Sequence, residues 1–253
     1  MQKLSVVVIT LNEEQNIKRC LESVRNIADE IIVVDSFSTD ATEHICKEMG
    51  ASFYSEKWLG YSEQKNFGNT KACNDLVFSI DADEALSPEL EESILNLKKT
   101  IKPGEAYIVK RLTNYCGQWI KHSGWYPDAK LRIWFKSEGK WQGELHEEVV
   151  FENDVKSKTL DGDLYHYSYY SINQHIAQFN KFTDIGAADA FNKGKNSNWF
   201  IAIYKSVWKF NRDYFFKLGF LDGYYGFIIC SISAFATFTK YVKLKELHKN
   251  ANK

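Results

Sequence analysis

A chain of 253 residues, 44% hydrophobic and 26% charged, is long enough for a sizeable core and has an ordinary globular composition. Its formal charge of −1 hides an uneven distribution, because residues 199–253 carry nine Lys and Arg against three Asp and Glu, a net of +6 that leaves −7 on residues 1–198. Five scattered cysteines without a Cys-x-x-Cys pair argue against a disulfide framework or a zinc site and fit a reducing cytoplasm, and Met1-Gln2-Lys3 enters a strand pattern with no secretory core.

Leu4 to Thr10 is a β-branched, apolar run of the kind buried on both faces of a sheet, and an Asn-Glu-Glu turn comes after it. Ile17, Cys20, Leu21 and Val24 recur at helical spacing. Ile31 to Val34 forms a second buried strand ending at Asp35, and Ser36, Ser38, Thr39 and Asp40 supply turn and cap chemistry for a helix over Ala41 to Met49. A short strand at Ala51–Tyr54, a helix at Glu63–Ala72, a strand at Leu76–Ile80 and a helix at Pro88–Lys99 capped by Ser87 continue the alternation. Parallel strands joined by helices bind ligands beyond their carboxyl ends, so Thr10, Asp35 and Asp81 are expected to meet at one crevice.

Past residue 105 the alternation loosens. Strands are expected at Ala106–Leu112 and Leu131–Phe135, separated by an aromatic and glycine-rich stretch, and Ile172–Phe191 reads as an amphipathic helix. From Trp199 the character changes: fifteen of the 38 aromatic residues fall between 199 and 242.

The most informative motif is Asp81-Ala82-Asp83 after the apolar run 76–80. Two carboxylates spaced two apart at a strand end point to one side, and such a pair attracts Mg²⁺ or Mn²⁺ with positions left open for a diphosphate. With Val6-Val7-Val8-Ile9-Thr10-Leu11-Asn12-Glu13-Glu14, the turn Val33-Val34-Asp35-Ser36-Phe37-Ser38-Thr39-Asp40, Gln64-Lys65-Asn66 and Asp81-Ala82-Asp83-Glu84 in this order, the chain resembles family 2 glycosyltransferases of the GT-A fold. Gly117-Gln118-Trp119-Ile120, Gly124-Trp125-Tyr126-Pro127-Asp128, Leu131-Arg132-Ile133, Leu145-His146-Glu147 and Phe220-Leu221-Asp222-Gly223-Tyr224 resemble the subgroup that glucosylates the inner core of lipopolysaccharide.

The resemblance implies an α/β, Rossmann-like GT-A domain over residues 1–165, with a mostly parallel sheet, and a helical, membrane-facing region over 166–253. It implies inverting transfer of a hexose, glucose from UDP-glucose, to a sugar of a glycolipid acceptor. By similarity Thr10, Asn12 and Glu13 line the nucleoside pocket and Asp35 lies near uracil or ribose. Lys65 meets base or phosphate, Asp81 the ribose and Asp83 the metal. His146 is expected to complete the metal site, and Glu147 to act as general base with Asp128 as its competitor. Each has a plainer reading: Asp35 as a turn residue, Lys65 as a solvated charge, Glu13 as a complement to a helix dipole, His146 as a structural histidine. Arg132 and Lys121 are candidates for acceptor phosphates.

Leu218 to Thr239 contains one charged residue, Asp222, and would measure about 33 Å as a helix. Gly219, Gly223 and Gly226 interrupt it, its aromatics suit an interface, and lysines and an arginine flank it, which points to peripheral attachment at the cytoplasmic face of the membrane. A buried helical pair and a true span are the competing readings. The rival activities are transfer to a polyprenyl phosphate and, from another class, a non-catalytic sugar-nucleotide or membrane-binding module; no nucleic-acid partner is expected.

Overall fold

The computed structural model describes residues 1–143 and 147–251. In chain order the elements begin with β1 (Leu4–Thr10), α1 (Ile17–Val24), β2 (Glu30–Asp35), α2 (Thr42–Glu48), β3 (Ser52–Ser55), α3 (Tyr61–Lys71), β4 (Leu76–Asp81), β5 (Glu84–Leu86) and α4 (Pro88–Leu97). They continue with β6 (Glu105–Tyr115), β7 (Gln118–Ile120), β8 (Asp128–Phe135), β9 (Gly139–Gln142), β10 (Glu148–Phe151), β11 (Lys156–Tyr169), α5 (Ile172–Asn192), α6 (Trp199–Asn211) and α7 (Gly223–Ala251). Two compact units result, one of residues 1–112 and 128–167, the other of 113–127 and 168–253.

In the first unit, β3, β2, β1 and β4 lie side by side and parallel, and β8 continues the sheet antiparallel to β4. The order then runs through β6 and β11 to β5, with β11 and β5 antiparallel. The α/β, GT-A-type class is the one expected from the sequence, but the sheet is mixed and not mostly parallel: a parallel half is wound by helices, and the long strands after residue 105 return as an antiparallel half. All seven residues of β1 are buried, as its predominantly apolar, β-branched pattern indicates, and they include the hydroxyls of Ser5 and Thr10. One sheet face carries Val6, Val8, Val33, Phe78 and Ile80 with Ile17 and Leu21 of α1 and Leu90 and Ile94 of α4. The opposite face carries Val7, Ile9, Ile32, Val34 and Val77 with Trp134 and Trp141. Each fully buried aliphatic chain of this kind contributes about 1.5–3 kcal/mol. Helix α3 lies against β1 and β2 so closely that a methyl group on Gly68 would overlap the Val7 side chain.

Ser87 caps α4 by accepting the Leu90 amide, with Pro88 at the first helical position, as the sequence indicates. Other boundaries move. Helix α3 starts at Tyr61, β6 runs on to Tyr115, and the fourteen-residue β11 has no counterpart among the expected elements. The Asp-x-Asp geometry also differs, because β4 ends at Asp81 and Ala82-Asp83 form a turn into β5. The two carboxylates therefore leave from different local backbones and not from one face of a continuing strand.

In the second unit, the end of β6 and β7 form a hairpin through Cys116-Gly117, both at positive φ, the conformation that the twist of a two-residue hairpin demands. Ser171 and Gln174 form a capping box at α5, and the Asn198 side chain accepts the Ile201 amide at α6. A π-helical turn at Arg212–Phe216 and a 3₁₀ turn at Gly219–Asp222 lead into α7, which packs on both α5 and α6. Tyr115, Trp125, Tyr169, His175 and Tyr225 pack ring against ring. Buried Asp222 accepts the Lys121 and His122 amides and the Ser123 hydroxyl, fixing loop 121–123.

Candidate active site

Register places the strand tips together. Thr10 of β1 is opposite Asp35 of β2, and Ile9 is opposite Asp81 of β4, so Thr10, Asp35 and Asp81 occupy the carboxyl ends of three adjacent parallel strands. The loops beyond are tied to each other. Asn12, at φ 54°, a conformation Asn tolerates better than most residues, donates its amide to Ser38 Oγ and accepts the Thr39 amide on its side chain at 2.8 Å. The Glu13 amide donates to Thr42 Oγ1, the Glu14 amide to Asp40, and the Ala41 amide to Glu14. Asp35 is buried and takes the Ser38 amide on one oxygen and the Ser38 hydroxyl on the other, so it holds the turn while facing the crevice end of its strand. The Thr10 hydroxyl is buried with no hydrogen-bond partner among the described residues.

Below these loops lies a network of alternating charges. Lys65, on α3 and 2% exposed, sits 3.3 Å from Asp81 and 3.0 Å from Glu147, with its ammonium 4.7 Å from the centre of the Trp141 ring. Arg132 of β8 reaches Asp81 at 3.0 Å and Glu84 at 2.8 Å, and Arg111 of β6 reaches Glu84 at 3.4 Å and Asp128 at 2.6 Å. Glu84 also accepts the Asp81 amide. Burial alone would raise the Asp81 carboxyl, but Lys65 and Arg132 outweigh it and hold the group far below the usual carboxylate range. Burial likewise works against the Arg132 charge, and Glu84 and Asp81 more than restore it. Tyr61, one helical turn before Lys65, has its phenol raised by burial and by Asp81 and Glu147.

Asp83 leaves this network. Its Oδ2 lies 3.1 Å from His166 Nε2, a pairing created because β11 runs antiparallel to β5 with His166 opposite Glu84, and because the Tyr167 amide donates to the Asp83 carbonyl. His166 Nδ1 is buried without a partner among the described residues. Glu13 lies close enough to feel this pair: burial raises its carboxyl, the Asn16 amide pulls it back, and Asp83 raises it again. Among the described residues no cluster of three His, Cys, Asp or Glu side chains could hold a metal ion. Asp83 Oδ2 and His166 Nε2 nevertheless meet as one oxygen and one nitrogen donor, a pair whose chemistry suits a divalent cation that takes its remaining ligands from other oxygens; the orphaned Nδ1 lies on the other side of the ring and is not part of that pair.

Of the expected site residues, Thr10, Asn12, Glu13, Asp35, Lys65, Asp81, Asp83 and Glu147 lie in this region; His146 lies outside the described residues. Lys65 is a buried ion-pair partner rather than a solvated charge. Asp128, the competing base, is held by Arg111 and Lys130, and these cations outweigh burial and lower its carboxyl. Arg132, a candidate for acceptor phosphates, is committed to Asp81 and Glu84. Sequence reasoning missed Glu84 as an anchor, Arg111 as its second cation and His166 as the partner of Asp83. Glu84 had a signal, being an acid directly after the Asp-x-Asp motif, whereas the other two depend on strand pairings that no local pattern announces.

The model of the family described as glycosyl transferase family 2 matches residues 5–146. The chain is 38% identical over 258 residues to an uncharacterized glycosyltransferase of Rickettsia typhi, covering 98% of this chain and 88% of that protein. It is 29% identical over 252 residues to the lipopolysaccharide core biosynthesis glycosyltransferase LpsC of Rhizobium meliloti, covering 97% and 93% respectively. Among solved structures, glucosyl-3-phosphoglycerate synthase of Mycobacterium tuberculosis in complex with Mn²⁺ and UDP-glucose aligns at 28% identity and a TM-score of 0.38 over 45% of this chain and 44% of that one, a likeness too slight to argue from. The family match spans more than half of the chain and the Rickettsia relative nearly all of it, so the protein belongs to glycosyl transferase family 2 and is a sugar-transferring enzyme.

Proposed function

We propose that the enzyme moves glucose from UDP-glucose, with inversion, to a sugar hydroxyl of a lipopolysaccharide core or related surface glycolipid at the cytoplasmic face of the membrane. In this reading residues 1–165 bind the donor and perform the transfer, and residues 166–253 face the lipid. One observation carries the proposal: three strand tips bearing Thr10, Asp35 and Asp81 stand beside a carboxylate and an imidazole, Asp83 and His166, that suit a diphosphate-bound cation. The similarity to LpsC along nearly the whole chain supports the acceptor class.

The unsatisfied Thr10 hydroxyl and the braced loops at Asn12 and Glu13 form a wall for the nucleoside, and Asp35 and Asp81 supply acceptors for base and ribose. Asp83 and His166, with His146, are the residues that would hold Mg²⁺ or Mn²⁺. Bound there, the cation supplies positive charge beside the oxygens of the departing diphosphate. Glu147 takes the proton of the acceptor hydroxyl, and Lys65 fixes one carboxylate oxygen of Glu147 at 3.0 Å while tying it to Asp81. Asp128 is the weaker base because two cations stabilise its ionised form.

Deleting the gene and weighing surface glycolipids by mass spectrometry tests the reaction: loss of one hexose from the lipid core is expected, and an unchanged mass refutes it. Glu147→Gln tests the base. Turnover at saturating donor should fall by about 10²–10⁴-fold with UDP binding retained, and near-normal turnover would exclude the role.

A further inference from the structure

We propose that the outward face of α6, continued by residues 212–222, is a docking surface for an anionic phospholipid bilayer, on which it lies in the plane of the headgroups. The inference rests on the peripheral reading above and specifies the surface that makes the contact. The sequence drew attention to residues 218–239, yet the exposed apolar side chains begin earlier. Helix α6 turns Ala202 and Ser206 inward, the Ser206 hydroxyl donating to the Ala234 carbonyl of α7 at 2.7 Å. Its other side presents Phe200, Ile203, Tyr204, Val207 and Trp208 at helical spacing, with Phe200 63% and Tyr204 65% exposed. Phe215, Phe216, Phe220 and Leu221 extend the same character into the next turns, Phe216 being 71% exposed. A helix apolar on both its packed and its open side is not built to face water.

Charge identifies the occupant. The only acids between residues 199 and 239 are Asp213 and Asp222, and both are buried. Asp213 is taken by Lys209 at 2.7 Å and Arg212 at 2.8 Å, and Asp222 by the amides of loop 121–123. The exposed surface of this stretch therefore carries cations only, Lys205 and Lys217 among them. Aromatics interleaved with lysines and stripped of exposed acids match an anionic interface. A second copy of the chain would bring Lys205 towards its own kind.

Geometry decides the mode. Residues 219–251 are long and apolar enough to cross a membrane, but α6, packed along α7, has thirteen residues and reaches only about 20 Å, short of a hydrocarbon core of about 30 Å. Lying in the interface satisfies both helices.

The test is flotation of the full-length protein with vesicles of phosphatidylcholine, with and without one quarter phosphatidylglycerol. The wild type should float with the anionic vesicles, and Phe200→Glu combined with Tyr204→Glu should lose roughly tenfold or more in binding while keeping its circular dichroism and melting temperature. Lys205→Gln should cost about fivefold on anionic vesicles and nothing on neutral ones. Brominated lipids should quench tryptophan emission in the wild type and much less in Trp199→Phe/Trp208→Phe, which keeps the aromatic surface. Equal flotation of wild type and the Glu variant overturns this surface but leaves peripheral attachment standing, whereas absence of flotation in the wild type refutes both. A dimer that the Glu variant dissociates, with no lipid binding, assigns the face to a second copy and overturns the proposal.

Discussion

Replacing Lys65 with Met removes a buried cation from between two carboxylates while keeping most of its volume. At an effective dielectric of about 20, an ion contact of 3.0–3.3 Å is worth about 5 kcal/mol gross, and there are two of them. The relief of no longer burying an ammonium cancels much of that, and removing one partner of a buried pair costs about 3–5 kcal/mol net. Both carboxylates are about a quarter exposed, so water recovers part of the loss and the lower figure, about 3 kcal/mol, is expected. At about 2–4 °C per kcal/mol the melting temperature should fall by about 6–12 °C. The pH dependence carries the sharper signature. Asp81 titrates well below its unfolded value, so its ion pairs stabilise fully above that unfolded value and are lost as pH falls through the folded one. The gap between wild type and K65M, followed by thermal unfolding from pH 7 to pH 3.5, should therefore be widest near neutrality and narrow below about pH 4 as Asp81 of the variant protonates. A gap that stays constant over this range, or a melting temperature within a degree of wild type, would refute the assignment of Lys65 as the buried counter-ion of Asp81.

His166→Ala should weaken activation by Mn²⁺ or Mg²⁺ by about 10–100-fold in a metal titration of UDP release while the fold persists, and an unchanged metal curve would remove His166 from the site. Gly68→Ala should cost about 1–3 kcal/mol in urea unfolding, because the added methyl meets Val7 where α3 crosses β1. Burial pushes His175 down to about 4 while its ring bonds the Tyr115 hydroxyl, so folding keeps it neutral where the unfolded chain would charge it. Stability should be intact above about pH 6.5 and fall by up to about 3 kcal/mol as pH drops to 4, a slope that His175→Phe should flatten in urea titrations.

The parallel half of the sheet was readable because each of its strands declares itself alone. Leu4–Thr10 and Leu76–Ile80 are dominated by apolar, often β-branched residues, with only the small Ser5 and Ser79 and the terminal Thr10 between or after them, and such runs belong where both faces are covered. Strand β11 was missed by sequence reasoning, because its first half, Lys156-Ser157-Lys158-Thr159 and on through Asp161-Gly162-Asp163, is polar and mostly exposed, and the alternation that marks a pleat begins only at Tyr165-His166-Tyr167-Ser168-Tyr169. The same division runs through the site. Thr10, Asp35 and Asp81 are legible as strand ends, but the charges that set the state of Asp81 arrive from Arg132, 51 residues away, and Lys65, 16 residues before it. Asp81 and Asp83 do not share a strand face, because the chain turns at Ala82 to begin β5. In the tail, composition announced an interface, but which side of α6 stays open depends on how Ser206 and Ala202 seat against α7.

The cross-links between loop 12–14 and loop 38–42 have a mechanical consequence. Amides of Asn12, Glu13 and Glu14 end on side chains of the second loop, and amides of Thr39 and Ala41 end on side chains of the first. The two segments thus behave as a single stiff brace held by the chain's own hydrogen bonds. Under the donor site proposed above, this wall would be ordered during folding, so a nucleoside docking there would forfeit little chain freedom and retain more of its contact energy as affinity.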